Sequence, residues 1–161
     1  MKHDTLYRLS AELGTLLKGR GFKLASAESC TGGGLGQAIT AVPGSSNWYE
    51  RGFITYSNES KRELLGVRAT TLRRHGAVSE AVVRDMARGA LTHSRAQIAV
   101  AVSGVAGPGG GSPEKPLGTV CLAWAGPHRI VSETRLFKGN RQAVRRAAVK
   151  AALQGVIKML G

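Results

Sequence analysis

Three adjacent side chains in the stretch ASAESCTGG carry groups able to attack an electrophilic carbon: Ser29, Cys30 and Thr31, followed directly by Gly32 and Gly33. A serine at a turn between a strand and a helix presents its oxygen to solvent, and the glycines let backbone N–H groups approach a developing oxyanion. The same amides could hold a phosphate at the start of a helix. A turn without chemistry fits the residues equally well, so the stretch needs partners elsewhere in the chain.

A serine hydroxyl is a poor nucleophile until a base takes its proton. TYSNESK offers Tyr56 and Lys61, and serine–lysine pairs are a known variant of the catalytic triad. The lysine must be neutral part of the time, which requires desolvation or a neighbouring cation such as Arg62 to lower its pKa. Without such a setting, Tyr56 is an ordinary strand residue and Lys61 an exposed helix charge.

Two further segments could hold a ligand. In SGVAGPGGGSPEKPLGT, Gly107, Gly109, Gly110 and Gly111 give the backbone freedom to wrap around a small molecule, while Ser103 and Lys115 supply hydrogen bonding and positive charge. The order of residues is neither that of a Walker loop nor that of a dinucleotide fingerprint. In FKGNRQAVR, Arg141 and Arg145 lie four residues apart at a helix start, a spacing that points both guanidinium groups toward one anion.

The rest of the composition narrows the class. The 161 residues, 42% of them hydrophobic, are enough for one domain over 1–161, and with aromatics at 5% the core must be built from Ala, Val, Leu and Ile. The formal charge of +13 is spread along the chain with no interleaved aromatics, which favours a basic surface or a small-anion site over nucleic-acid binding. Cys30 and Cys121 are far apart, and His3, His75, His93 and His128 are scattered, so no metal site is expected. The N-terminus does not read as a signal peptide and no apolar run has the length of a membrane span, which predicts a cytoplasmic protein without a membrane partner.

The elements that must position these residues follow from periodicity. Leu6, Leu9, Leu13, Leu16 and Leu17 recur at helical spacing from Asp4 to about Lys18, with Gly19 and Gly21 as stop signals. FKLASAE reads as a strand ending at the hydroxyl cluster, and LGQAITAV as a helix stopped before Pro43. GFITYS reads as a strand, with Asn58 capping a short helix that ends near Gly66. A helical turn ending at Gly76 precedes a helix from Ser79 to Ser94. Ile98 to Val102 is a continuous apolar run, as in a strand buried on both faces. LGTVCLAWA and RIVSETRLF form an antiparallel pair, and a basic helix runs from Arg141 to Leu160. Helices and strands that alternate and then close with a hairpin predict an α/β fold: a three-layer α/β/α sandwich with a mixed, mostly parallel sheet. In such sheets ligands collect beyond the strand C-terminal ends, where the three loop motifs fall.

Taken together, AESCTGG, GSSNWYERGFITYSNESK followed by LLGV, HGAVSE, SGVAGPGGGSPEKPLGTV and FKGNRQAVR strongly resemble the C-terminal domain of the CinA competence/damage-inducible family, the PncC-type nicotinamide-nucleotide amidohydrolases, from about Leu6 to Leu160. The resemblance implies deamidation of nicotinamide mononucleotide to nicotinate mononucleotide and ammonia in pyridine nucleotide salvage, without a cofactor or metal. It also implies five strands in the sheet and a homo-oligomer. Larger members of the family carry an additional N-terminal domain linked to ADP-ribose pyrophosphatase activity, which this sequence lacks.

Joined to the residue reading, the resemblance implies Ser29 as nucleophile, Lys61 as base with Tyr56 assisting, and glycine amides of the ESCTGG turn as oxyanion donors. The substrate-binding set it implies comprises Thr31, Gly32, Gly33, Ser46, Asn58, Ser103, Gly104, Ala106, Gly107, Pro108, Lys115, Arg141 and Arg145, with the phosphate near Arg141 and Arg145. Cys30 is the rival nucleophile, but if Ser29 ends an extended strand, Cys30 points to the opposite side, into the core, and Thr31 shares the Ser29 side. The alternative class is a module that binds a nucleotide or nucleic acid without chemistry. Such a module needs the glycines and arginines but no base, so Ser29, Tyr56 and Lys61 together separate the two.

Overall fold

The structure, a computed structural model, describes residues 4–161; His3 lies outside them. The first helix, α1 (Thr5–Arg20), is capped by the Asp4 carboxylate, which accepts from the Leu6 N–H, and closed by Gly21 at φ 65°. Gly19 is absorbed into the helix, because a glycine in a helical conformation does not by itself end one. β1 (Leu24–Glu28), α2 (Gly34–Thr40), β2 (Tyr49–Ile54), α3 (Asn58–Leu65), α4 (Ala69–His75), α5 (Glu80–Thr92), β3 (Ile98–Gly104), β4 (Thr119–Ala125), β5 (Ile130–Leu136) and α6 (Arg141–Leu160) follow. The cap of α3 is Ser57, whose hydroxyl accepts from the Ser60 N–H, so Asn58 is the first helical residue rather than the cap. The second strand ends three residues earlier than the run GFITYS predicts, since the ladder stops where Thr55 N–H donates to the Glu28 carbonyl at 2.8 Å.

The sheet has the order β2-β1-β3-β4-β5. β1 pairs in parallel with β2 and β3, and β3–β4 and β4–β5 pair antiparallel, so only β4 runs against the other strands, as the mixed, mostly parallel expectation requires. Helices α1, α2 and α6 cover one face and α3, α4 and α5 the other, giving three layers.

The two faces differ in kind. Alternate strand residues Leu24, Ile98, Val100, Val102, Val120, Leu122 and Trp124 meet α1, α2 and α6, whereas Ala25, Ala27, Ala99, Ala101, Ala123 and Ala125 meet α5 and its neighbours. Small side chains on the second face let α5 lie close to the sheet. The C-terminal end of α3 in turn lies against α5 at Gly89, where an added Cβ would stand 1.9 Å from the Leu65 carbonyl oxygen. That contact fixes the helix carrying Lys61.

β1, β2, β3 and β5 all end at one edge of the sheet, where α6 also begins. This edge gathers the three loop motifs and both arginines.

Candidate active site

The end of β1 splits its residues between the two faces. Glu28 continues the alternation of Leu24 and Ser26 and turns toward α2, while Ser29 continues that of Ala25 and Ala27 and turns toward α3. Glu28 is 2% exposed, and its carboxylate accepts from Thr31 Oγ1 at 2.5 Å and from the N–H groups of Gly33 (3.2 Å), Leu35 (2.9 Å) and Gly36 (3.0 Å). The acid therefore caps the following helix from beneath. An acidic residue inside the otherwise uncharged run LASAESC was the available signal for this role.

On the other face, Lys61 is 1% exposed and its Nζ lies 3.0 Å from Ser29 Oγ, 3.0 Å from the Thr55 carbonyl and 3.1 Å from the Tyr56 carbonyl. A neutral amine has two N–H bonds and one lone pair. The two carbonyls take the N–H bonds, which leaves the lone pair for the Ser29 hydroxyl. Burial pushes the Lys61 pKa below its ordinary 10.5, the direction that makes a base; Arg62 plays no part in that shift.

The cleft around this pair has a volume of about 300 Å³ and is lined by Ser29, Tyr56, Asn58, Lys61, Ser103, Gly104, Ala106, Gly107 and Arg141 from the predicted set. Cys30, Ala77, Val78, Val105, Gly109 and Gly110 complete its wall. Of these, Ala77 and Val78 had no role in the sequence reading, although they sit in the HGAVSE motif. Size alone does not mark the site. A larger cleft of about 400 Å³ between β5 and α6 is lined by Trp124, Arg129, Glu133 and Lys158 among others, and holds no hydroxyl or thiol beside a base.

Several predicted residues occupy other places. Thr31 is buried, with its hydroxyl on Glu28 rather than in the cleft. The Gly32 N–H donates to the Ser29 carbonyl and the Gly33 N–H to Glu28, so neither glycine amide is free for an oxyanion. Among the described residues, the turn N–H groups that make no hydrogen bond to another residue are those of Cys30 and Thr31. Arg145 donates from Nε to the Cys30 carbonyl and from Nη2 to the Thr31 carbonyl, each at 3.1 Å, so the Nε–Nη2 edge of its guanidinium is taken up by the turn. Arg141 does face the cleft, donating to the Gly107 carbonyl at 2.7 Å and to the Tyr56 hydroxyl at 3.3 Å.

Tyr56 serves the base through its backbone carbonyl, and its phenol contacts Arg141 rather than Ser29 or the Lys61 amine. Lys115 reaches the His75 carbonyl at 2.7 Å and ties the glycine-rich loop to the end of α4. Pro108 lies in that loop but does not line the cleft. Ser46 is exposed ahead of the first residue of β2, at the far end of the sheet from the cleft.

Cys30 does turn into the core, as its place after Ser29 predicts. Burial pushes its thiol pKa up to about 11, which keeps it protonated and unreactive. Among the described residues, no group of three His, Cys, Asp or Glu is placed to hold a metal ion, and no helix is long and apolar enough to cross a membrane.

Residues 6–160 match the sequence profile of the CinA C-terminal domain. The chain belongs to the CinA C-terminal domain family. Within this family it is 53% identical to the nicotinamide-nucleotide amidohydrolase PncC of Pseudomonas putida, over 97% of this chain and 98% of that protein. It is 52% identical to the protein of the same name from Escherichia coli K12, over 96% and 94% of the two chains. The crystal structure of the competence/damage inducible protein CihA from Agrobacterium tumefaciens superposes with a TM-score of 0.95 at 42% identity, covering 98% of this chain and 97% of that one.

Proposed function

We propose that this protein is a nicotinamide-nucleotide amidohydrolase, deamidating nicotinamide mononucleotide to nicotinate mononucleotide and ammonia with a serine–lysine pair. The observation that carries the mechanism is the buried Lys61 amine 3.0 Å from Ser29 Oγ in an open cleft. The names of the full-length relatives at about half identity support the substrate class.

In the reaction, neutral Lys61 takes the Ser29 proton as Oγ attacks the carboxamide carbon. The tetrahedral intermediate collapses as Lys61 returns that proton to the departing nitrogen, releasing ammonia and leaving a nicotinoyl ester on Ser29. Water then attacks the ester with Lys61 as base, and the ester oxygen leaves as the Ser29 hydroxyl. Ala77 and Val78 offer an apolar wall for the ring, the loop from Ser103 to Gly110 borders the ribose, and Arg141 meets the phosphate.

The proposal extends to one amidohydrolase domain over 1–161 acting in the cytoplasm as a homo-oligomer. Exposed Val131 and Leu136 on the edge strand β5 offer apolar surface for self-association.

Incubating the purified protein with nicotinamide mononucleotide and EDTA, and assaying ammonia, tests the function. Chelator-resistant ammonia that is lost in Ser29→Ala supports it. Tight binding of the nucleotide without ammonia release would replace the enzyme with a binding module.

A further inference from the structure

We infer that Arg145 and Glu28 are positioning residues of the nucleophile turn, and that together they aim the Thr31 amide at the oxyanion formed during attack by Ser29. The inference rests on the amidohydrolase reading above. It assigns Arg145 to the turn rather than to the substrate phosphate.

The turn is held by two opposite charges, both on the face of the sheet covered by α2 and α6. Glu28 takes up the Thr31 hydroxyl and three N–H groups of the turn and the helix that follows. Arg145 takes up two successive carbonyls, those of Cys30 and Thr31, with two nitrogens of one rigid guanidinium plane. Its Nη2 also lies against Gly32, where an added Cβ would be 3.3 Å away. Of the N–H groups from Ser29 to Gly36, those of Cys30 and Thr31 alone make no hydrogen bond to another residue, and the Cys30 N–H lies against its own thiol, which leaves the Thr31 N–H.

The direction of the Thr31 N–H follows from peptide geometry. The Cys30–Thr31 peptide is trans, so its C=O and N–H point opposite ways. Arg145 belongs to α6, on the Leu and Trp face of the sheet, and draws the Cys30 carbonyl to that side. The Thr31 N–H is thereby turned toward the other side, where Ser29 and Lys61 meet. A guanidinium behind the carbonyl end of a peptide dipole also raises the positive potential at its N–H end, where an oxyanion would form.

This role differs from phosphate binding in what its loss does. Steady-state kinetics of Arg145→Ala, Arg145→Lys and Arg141→Ala, with nicotinamide mononucleotide and with nicotinamide riboside, which has no phosphate, separate the two. Loss of a single oxyanion donor lowers kcat by about 10²–10³-fold. Arg145→Ala should lower kcat by about 10²-fold with both substrates and leave KM within about twofold, and Arg145→Lys should recover part of the loss. Arg141→Ala should raise KM for the nucleotide alone. An Arg145→Ala enzyme with unchanged kcat, or with a KM raised only for the nucleotide, would overturn the inference.

Should Arg145→Ala melt early, Glu28→Gln gives a second reading of the same claim. It keeps one carboxamide oxygen for Thr31, Gly33 and Leu35, removes the acceptor of the Gly36 N–H, and should lower kcat by about tenfold at unchanged KM. Labelling of Ser29 by a fluorophosphonate, which builds negative oxygen at the same position, should slow in proportion in both variants. If the wild type labels at Ser29 but deamidates neither substrate, the function is wrong and the labelling rates still decide the positioning claim.

Discussion

The turn from Glu28 to Gly36 and the glycine-rich loop from Val105 to Pro116 face each other across the cleft, and they are held in opposite ways. The first is fixed by a buried carboxylate and a two-pronged arginine, with its backbone groups nearly all paired. The second is tied at its base by the Val105–Thr119 and Gly118–Val105 backbone bonds, and along its length by Ser112 to Lys115, Lys115 to His75 and Arg141 to Gly107. Chemistry demands groups fixed before the reaction begins, because reorganising dipoles during attack raises the barrier. Binding tolerates a wall that adjusts. The contrast supports the proposed division, with catalysis on the β1 side of the cleft and substrate recognition on the loop side.

The comparison breaks hardest at the reacting pair. Ser29→Ala and Lys61→Arg, whose guanidinium stays charged, should each lower kcat/KM by at least about 10³-fold, and the melting temperature of Ser29→Ala should stay within a few degrees. A Lys61→Arg enzyme with substantial turnover would remove lysine as the base.

A change on the structural side of the same assembly should act on stability instead. Gly89→Ala drives a methyl into the Leu65 carbonyl that holds α3 against α5, and overpacking of this kind costs roughly 1–3 kcal/mol. At about 2–4 °C per kcal/mol for a chain of this size, calorimetry should resolve the loss. Gly19→Ala, where an added methyl meets nothing within 4 Å, should stabilise α1 by up to about 1 kcal/mol. Equal melting temperatures for the two variants would show that the α3–α5 contact does not constrain the site.

On the loop side, effects should be smaller and confined to affinity. Arg141→Ala should raise KM for the nucleotide roughly tenfold with kcat nearly unchanged, as loss of one charge-assisted contact predicts. Cys30→Ser, which places a hydroxyl in a core position, should leave kcat within a few-fold; loss of activity equal to that of Ser29→Ala would restore the thiol as nucleophile.

Much of this arrangement was legible in the sequence, for identifiable reasons. Ser29 follows β1, Ser103 is the penultimate residue of β3, and Lys61 and Arg141 lie in the first turn of a helix, so element order alone brings them to one edge of the sheet. What the sequence could not show was how each polar group is spent. Arg141 and Arg145 share one side of α6, yet four residues of helix advance about 6 Å, enough to move the second guanidinium from the cleft to the carbonyls beneath it. Gly32 and Gly33 looked like oxyanion donors because their conformational freedom is visible in the sequence, whereas the acceptors that occupy their amides, the Ser29 carbonyl and Glu28, are a matter of the fold. Ser46 precedes its strand instead of following it. Six residues of β2, about 20 Å of extended chain, separate it from the edge where the others meet.

The pH dependence of the pair follows from burial. Lys61 gives up its proton below 10.5 in the folded chain. Between that lowered value and 10.5 the unfolded chain holds the proton that the folded chain has lost, so stability rises with pH through this window. Catalysis has the same direction, since only the neutral amine accepts the serine proton. Lys61→Met should remove this slope of stability with pH along with the activity.

The most direct test of the central claim is peptide mapping by mass spectrometry of the fluorophosphonate adduct, with its rate of formation measured across pH. The account predicts a single adduct on Ser29, forming faster as pH rises through a midpoint below 10.5, and absent in Lys61→Met. An adduct on Cys30 or Thr31, or a rate on Ser29 that Lys61→Met leaves unchanged, would contradict it.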